Sequence, residues 1–251
     1  MERGNGMRRL FAGTIVLIAV MQGAPPLQAA YHTYVFPQFV DGPFADDIQY
    51  RSTIIIAATQ PADSTECDLR MYASGSIPMD GAAIRGSLDV INFTLPPGGW
   101  EISHSAGSEF NHGYVTITCN WPVQVQMLMS FLVGGLTRSE TIVFPAEGSP
   151  AVEFLVDETE SLLALAIAND CDCSNEYNFI ALDPQSNIVA VQTVFAPPMT
   201  SFALFARELI PKLPENFQGR LLITSTDNIY VMGLQYSGLT YASIMPSREY
   251  D

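Results

Sequence analysis

Two stretches of this sequence carry the same alternating pattern of apolar residues. Residues 113–125 align without a gap with residues 219–231, at an offset of 106. Alternation with a period of two is typical of strands that bury one face. The pattern therefore predicts two similar β units in one chain. The matching apolar positions are Val115, Ile117, Val123 and Val125 in the first stretch, and Leu221, Ile223, Ile229 and Val231 in the second.

Other segments of the two halves correspond in the same order. Because several matches occur at nearly constant offset, we interpret the halves as duplicated units. The boundary between them is predicted near residues 146–149, where Pro145, Gly148 and Pro150 interrupt the pattern. The further matches are 93–102 with 194–203 (offset 101), 69–72 with 177–180 (offset 108), 54–58 with 164–168 (offset 110) and 142–145 with 243–246.

Strand signals dominate the chain from Tyr31 onward. Short runs rich in Val, Ile, Thr, Phe and Tyr alternate with Pro, Gly, Asn and Asp clusters at intervals of about 8 to 12 residues. Helical periodicity is limited to residues 201–213. Pro211 and Pro214 restrict a helix there to about two or three turns. The fold class expected is all-β, with two tandem antiparallel β-sandwich domains of immunoglobulin-like or fibronectin-like type.

The N-terminus has the features of a signal peptide. Arg3, Arg8 and Arg9 precede an uncharged apolar run at residues 10–21, and small residues follow at 29 and 30. This run is too short to cross a bilayer, which needs about 20 residues, and no later segment reaches about 18. We expect cleavage after Ala29 or Ala30 and a secreted, periplasmic or cell-surface protein without a transmembrane segment in the mature chain. The predicted domains are a signal peptide at 1–29, a first β-sandwich at 30–146 and a second, repeated β-sandwich at 147–251.

The four cysteines fit an oxidising compartment. Cys67 with Cys119 is the preferred disulfide, because both lie in the first half at the ends of predicted strands. Cys171 and Cys173 would then bond to each other or stay reduced. The spacing lacks the paired ligands that a zinc site needs.

Charge excludes one class of partner. The chain has 11 Lys plus Arg and 26 Asp plus Glu, a net charge of −15, and Lys212 is its single lysine. Removal of residues 1–29 leaves 8 basic and 25 acidic side chains, a net charge of −17. Nucleic-acid binding requires a basic face that this chain lacks. The partners expected are an extracellular protein or a glycan.

Several turn and packing motifs together resemble a known type of protein. The chain contains Phe36-Pro37-Gln38, Asp41-Gly42 and residues 50–54 (YRSTI), followed by residues 95–99 (LPPGG). The second half adds residues 202–205 (FALF), 208–211 (ELIP) and 218–220 (QGR). In this order the chain resembles exported bacterial tandem β-sandwich proteins of unassigned function, over nearly all of the mature sequence. The resemblance implies fold and export, but no catalytic residues. This chain departs from the type in its four cysteines and in a longer, more acidic first loop.

Motifs for nucleophilic or phosphate chemistry are missing from the sequence. It contains no G-x-S-x-G elbow and no phosphate-binding glycine loop. His32 lies near the mature N-terminus, and His104 and His112 flank a polar loop without metal-ligand spacing. We therefore expect a protein that is not an enzyme and has no catalytic residues.

One acidic cluster could hold calcium. Oxygen-bearing side chains alternate at Asp170, Asp172, Ser174 and Glu176, as in loops that bind this hard cation. The cluster lacks the glycine and the distal glutamate of an EF-hand, so a solvated acidic turn is the alternative. A second acidic loop spans residues 41–47. No other cofactor is expected.

Trp100 and Trp121 are candidates for a sugar-binding platform, with packing at a sheet rim as the alternative. The function expected is an exported, non-enzymatic structural, adhesive or interaction module. A carbohydrate- or ligand-binding module stabilised by calcium is the alternative, and a hydrolase that uses acidic loop residues is a third hypothesis.

Overall fold

A computed structural model describes residues 30–73, 87–105 and 109–250. The predicted signal peptide lies outside these residues. The elements are β1 (His32–Ala45), β2 (Ile48–Ala58), β3 (Thr65–Ala73), β4 (Ser87–Leu95), β5 (Trp100–His104), β6 (Asn111–Cys119), β7 (Val123–Val133), β8 (Leu136–Val143), β9 (Ser149–Asp157), β10 (Leu162–Asn169), β11 (Asn175–Leu182), β12 (Ile188–Ala196), β13 (Thr200–Phe205), α1 (Ala206–Leu209), β14 (Gln218–Ser237), β15 (Thr240–Ile244) and β16 (Arg248–Tyr250).

The first half, β1 to β8, forms one antiparallel sheet that folds over onto itself. Sheet A has the order β4-β3-β6-β1, and sheet B has the order β5-β2-β7-β8. Strand β1 belongs to both, because its first part pairs with β6 and its end pairs with β2. Its register shifts between Phe36 and Phe39, around Pro37, which has no N–H to donate.

The folded sheet encloses an apolar core. Alternate residues of each strand point inward, and Phe36, Leu69 and Ile117 from sheet A meet Ile56 and Met127 from sheet B. Each of these side chains is at most 2% exposed. Burial of this inner face is the main driving force for the sandwich.

The second half, β9 to β16, has two sheets that share the long strand β14. Sheet C has the order β12-β11-β14-β9-β16, and sheet D has the order β13-β10-β14-β15. The 20 residues of β14 pair with β9 and β11 near their start and with β10 and β15 near their end. The fold class, an all-β chain with two antiparallel β-sandwich domains, is confirmed.

The strand order within each sheet is the same in both halves, although the sheets are joined by β1 and β2 in the first half and by the continuous β14 in the second. Strands β6 and β7 correspond to the beginning and end of β14, since Val115 lies opposite Phe36 of β1 and Leu221 lies opposite Phe154 of β9. The ladders reproduce the offsets of 106 for β6 and 101 for β4, β5 and β8. That the halves arose by duplication stays a prediction.

Two of the sequence matches are shifted in the structure. Ladder positions make Leu69 equivalent to Phe179, an offset of 110 rather than 108. They make Ile54 equivalent to Leu165, an offset of 111 rather than 110. The second shift matters, because one residue exchanges the inner and outer faces of a strand.

The helical stretch is shorter than its periodicity predicts. Only Ala206–Leu209 is helical, a single turn, because β13 extends to Phe205 and Pro211 follows closely. No helix of the described chain has the length and apolarity to cross a membrane.

The two halves share apolar surface. Ala164, Ala166, Met232 and Leu234, on the outer face of sheet D, are buried in the same cluster as the core of the first half. Their inward neighbours on β10, such as Leu165, belong to the core of the second half. Strand β10 is therefore buried on both faces.

A polar contact accompanies this interface. The fully buried Tyr114 stacks on Tyr72 with ring centroids 4.6 Å apart, and its hydroxyl donates a hydrogen bond to Asp170 Oδ1 at 3.1 Å. Burial raises the pKa of Asp170, and the hydrogen bond from Tyr114 opposes that rise. Burial also raises the pKa of Tyr114, with the Asp170 charge as a second cause.

Asp170→Asn should change the pH dependence of stability. The Asp170 pKa is higher in the native state than in the unfolded state, so its stabilising protonation is lost as the pH rises from about 4 through the native pKa. The free energy of unfolding of the variant, relative to the native chain, should therefore increase across that window. Urea unfolding at several pH values measures this difference; a difference that is constant with pH would contradict the assignment.

Both disulfides are present. Cys67 and Cys119 are bonded, which is the preferred pairing, and they lie directly opposite each other on β3 and β6. Cys171 and Cys173 are bonded to each other.

Replacing Cys67 and Cys119 by Ala should lower the free energy of unfolding by about 2 to 4 kcal/mol, because that bridge closes a long loop in the unfolded chain. Replacing Cys171 and Cys173 by Ala is the matched control. That pair is only two residues apart, so its loss should cost clearly less. Urea unfolding of both variants tests the order, and equal losses would contradict it.

Candidate functional site

A cavity lies between sheets A and B at one end of the first half. Its volume is about 300 Å³, at the lower end of the range for small-molecule sites. The walls combine apolar side chains from the core with hydroxyl, amide, imidazole and carboxylate groups. We call it the first-half cavity; its lining residues are Phe39, Asp41, Ser52, Ile54, Leu69, Met71, Ile91, Ser103, His104, Ser105 and Asn111.

The Asp41-Gly42 pair shapes this end of the sandwich. Gly42 has a φ of +93°, and a Cβ on it would overlap the backbone carbonyl of Glu109. Only glycine therefore lets the chain before β6 approach β1 this closely. The preceding residue, Asp41, is 4% exposed and pairs with Asn111 in the ladder.

Hydroxyl groups connect Asp41 to the neighbouring strands. Ser105 donates its hydroxyl proton to Asp41 Oδ1, and Ser105 Oγ accepts a hydrogen bond from the Ser52 amide at 3.2 Å. Ser52 Oγ donates to the carbonyl of Val40 at 2.7 Å. These bonds hold β1, β2 and the end of β5 in one polar network, as a buried carboxylate requires.

The equivalent space in the second half is filled by protein. The connection between β5 and β6 corresponds to the segment between β13 and β14, across which the offset rises from 101 to 106. The second half thus has five more residues here, including α1. Leu209, Ile210, Leu213 and Phe217 from this segment are all buried in its core.

Polar lining residues of the first-half cavity have apolar equivalents. Ser52, Ser103 and Asn111 occupy the ladder positions that Leu163, Leu204 and Phe217 hold in the second half. Among the described residues, these smaller polar side chains line the cavity of the first half, and the sequence of its connection is five residues shorter. The difference is local, because the surrounding strands are the same.

A buried carboxylate is common to both halves. Asp41 corresponds to Glu158, which is 3% exposed and accepts hydrogen bonds from the Leu163 amide at 3.2 Å and from Arg207 Nε at 2.9 Å. Arg207 belongs to α1, so in the second half the guanidinium and the filling segment come together. This arrangement keeps the charge of Glu158 paired in a buried place.

The geometry does not assemble a Ser–His–Asp relay. Such a relay needs a histidine between the serine and the carboxylate. Ser105 donates to Asp41 directly, and His104 Nδ1 instead contacts Thr53 Oγ1 at 3.1 Å. Within the described ranges, no hydrogen bond joins Ser105 to His104.

The other two histidines lie elsewhere. His32 and His112 occupy opposite ends of the β1–β6 ladder, opposite Cys119 and Val40. The His112 ring lies 5.4 Å from that of Phe110, and desolvation lowers its pKa.

The predicted calcium ligands are dispersed. Asp170 accepts the Tyr114 hydroxyl, Glu176 accepts an amide hydrogen bond from Asn178 at 3.1 Å, and Asp172 and Ser174 are exposed. In the part of the chain that the structure describes, no group of three or more His, Cys, Asp or Glu side chains is placed to hold a metal ion. The geometry thus gives the calcium hypothesis no support.

Both tryptophans are exposed, Trp100 at 67% and Trp121 at 39%. Trp100 pairs with Ala57 near the end of β2, and Trp121 lies in the turn between β6 and β7. The next residue of that turn, Pro122, accepts a hydrogen bond from Thr59, which follows β2. The two rings therefore lie near the same end of sheet B.

Sequence reasoning did not identify the network of Asp41, Ser52 and Ser105. Asp41 and Ser52 entered the sequence analysis only as parts of turn and packing motifs, and Asp41 also as part of the acidic loop at 41–47. A second available signal was the change of offset from 101 to 106 between the aligned halves, which marks the missing filler segment.

Comparison with known proteins adds little. No protein-family model and no curated protein matches this chain. Among solved structures it is similar to one described as a "putative secreted protein" from Parabacteroides distasonis ATCC 8503, with 11% identity, coverage of 84% of this chain and 90% of that chain, and a TM-score of 0.21. A similarity of this size supports no argument about function.

Gly42→Ala should destabilise the first half by at least about 2 kcal/mol, because it adds both a strained backbone and an overlap with the Glu109 carbonyl. Gly134→Ala is the control: its φ is +60°, but a Cβ there meets nothing within 4 Å, so only the strain of about 1 kcal/mol applies. Urea unfolding compares the two. Equal losses would show that the close approach at Gly42 is unimportant.

Proposed function

We propose that this protein is an exported, non-enzymatic interaction module that binds a small ligand in the first-half cavity. The observation that carries the proposal is the contrast between the halves. Equivalent strands border a cavity in the first half, and in the second half the same space is filled by buried side chains. Proteins close-pack the space between their sheets, so an open cavity of about 300 Å³ with both apolar and polar walls is unusual in a structural domain.

The lining defines the chemistry of the ligand. Phe39, Ile54 and Leu69 offer apolar walls, while Ser103 and Asn111 offer a hydroxyl and an amide. Ligand sites commonly combine mostly apolar walls with a few polar groups that orient the molecule. The ligand is therefore a small amphiphilic molecule with an apolar body and at least one hydrogen-bonding group.

Export is supported by the predicted signal peptide and by the two disulfides, which persist in oxidising compartments. The absence of enzymatic activity is supported by the direct Ser105–Asp41 bond, which leaves the serine without a histidine base. Turnover of an ester or glycoside substrate, lost on mutation of one carboxylate, would overturn this part of the proposal.

Glycan binding is a second candidate function, favoured by the exposure of Trp100 and Trp121 near one end of sheet B. Exposed aromatic rings can stack on the apolar faces of sugars. A glycan array with the native chain and with Trp100→Ala separates this surface from the cavity.

Asn111→Phe should abolish ligand binding without unfolding the protein. Phe is the residue that the second half carries at the equivalent position, so the substitution fills the cavity as that half does. A panel of small amphiphiles is screened by thermal unfolding of the native chain, in which a ligand at 100 times its Kd stabilises by about 2.7 kcal/mol. The active compounds are then tested on the variant.

Asn92→Phe is the matched control. Asn92 is exposed and does not line the cavity, so this variant should respond to ligand like the native chain. A response that survives in Asn111→Phe would place the ligand elsewhere. If no compound stabilises the native chain, small-ligand binding loses its support.

A further inference from the structure

The Cys171–Cys173 disulfide lies in the turn between β10 and β11. Only Asp172 separates the two cysteines, and both are partly exposed. The Cys67–Cys119 disulfide instead joins two paired strands, and its cysteines are 5% and 0% exposed. External thiols can attack an exposed disulfide, whereas a buried structural one resists reduction. The two bonds therefore differ in their access to a reductant.

Stabilisation of the fold does not account for the Cys171–Cys173 bond. A bridge between residues that are two apart removes little entropy from the unfolded chain. The equivalent turn of the first half, at residues 59–64 between β2 and β3, contains no cysteine. By thermodynamic linkage, a disulfide that adds little to folding stability gains little protection against reduction from folding. Cys67–Cys119 closes a long loop and gains much more.

Hydrogen bonds hold the cysteine turn independently of its disulfide. The fully buried Asn169 donates from Nδ2 to the carbonyls of Cys173 and Pro197, each at 2.8 Å. The Met199 amide donates to the carbonyl of Cys171 at 3.0 Å. Because these bonds fix the backbone on both sides of Asp172, the turn should keep its shape and its two sulfurs should stay close when the S–S bond opens.

A carboxylate lies beside one sulfur of the pair. Asp227 Oδ2 is 3.7 Å from Cys173 Sγ. The sulfur has no proton to donate while it is oxidised, but a reduced Cys173 thiol can donate its S–H to this carboxylate. A contact that stabilises only the reduced form makes a disulfide a stronger electron acceptor. The same negative charge disfavours a Cys173 thiolate, so the pair is suited to accept electrons rather than to attack other disulfides.

We propose that Cys171–Cys173 is a thiol–disulfide exchange site that accepts two electrons from an external dithiol. One thiolate of the dithiol attacks Sγ of one cysteine, the S–S bond breaks, and the other cysteine leaves and takes up a proton. The second thiolate of the dithiol then attacks its partner sulfur in the mixed disulfide and releases the first cysteine, which is also protonated. The dithiol becomes an intramolecular disulfide, and the protein gains two thiols. Each chain reacts once, without turnover.

The closeness of the two cysteines selects a dithiol over a monothiol. After a monothiol attacks, the released cysteine lies two residues from the mixed disulfide and expels the monothiol again. A dithiol avoids this reversal, because its own second thiol is tethered at the same mixed disulfide and competes at high effective concentration.

Redox equilibration of the mature native chain tests the proposal. The chain is equilibrated with reduced and oxidised dithiothreitol at increasing ratios, free thiols are alkylated, and mass spectrometry locates them. Cys171 and Cys173 should be half reduced at a ratio at least about tenfold lower than Cys67 and Cys119. Reduction of Cys67–Cys119 at the same or a lower ratio would overturn the proposal.

Two further measurements use the same samples. 2-Mercaptoethanol at the same total thiol concentration should leave at least about tenfold less of the Cys171–Cys173 pair reduced. Equal reduction by the two reagents would exclude the selection of a dithiol. Circular dichroism of the chain reduced only at this pair should keep the β-sheet signal, and its loss would contradict a site on a preformed turn.

Asp227→Ala tests the role of the carboxylate. Removal of this acceptor should raise the dithiothreitol ratio for half reduction of the Cys171–Cys173 pair at least about threefold, as expected for the loss of one hydrogen bond. Asp63→Ala is the matched control, because Asp63 is exposed in the equivalent turn of the other half and its loss changes the charge equally. Thermal unfolding verifies that both variants fold. An unchanged ratio in Asp227→Ala, or equal shifts in both variants, would exclude Asp227 from the site.

Discussion

Burial of one face of every strand is the constraint on which this structure depends. In each half the inward side chains of two sheets meet in an apolar core, and the strands shared between sheets, β1 and β14, hold the sheets together. Strand β10 is buried on both faces. Its leucine and isoleucine side chains fill the second core, and its small alanines allow the first half to approach its other face. The halves are thus joined by shared burial as well as by the chain.

The same scaffold supports two different ends. A buried carboxylate occupies the equivalent position in both halves, but Glu158 is paired with an arginine carried by a filling segment, and Asp41 belongs to a serine network beside a cavity. Five residues in one connection, together with Ser and Asn in place of Leu and Phe, account for the difference. Function in such proteins lies in local variation of this kind, since the strands themselves are occupied by packing.

The surfaces of the halves differ in the same way. On the outer face of sheet A Arg70 is exposed and Thr116 is buried, and sheet C carries the partly buried Ile180 and Leu222 at the equivalent positions. The cores are formed by inward side chains, so residues on the outer faces can differ between the halves without changing the fold. The first half thereby provides the candidate ligand site.

Sequence alone determined the all-β class, the two-domain organisation and the preferred Cys67–Cys119 pairing. Period-two alternation and cysteine position are local signals, and the burial that they express is common to any sandwich. The sequence did not give the correct register of β10. An alanine-rich strand that is buried on both faces has no polar side to mark its outer face, and the sequence match was shifted by one residue. The Asp41 network also escaped it, because Asp41, Ser52 and Ser105 are far apart in the chain and come together only through the folding of β1 and the close approach at Gly42. Which half is filled and which groups surround each buried carboxylate were decided by tertiary structure, since both depend on contacts between strands that are distant in sequence.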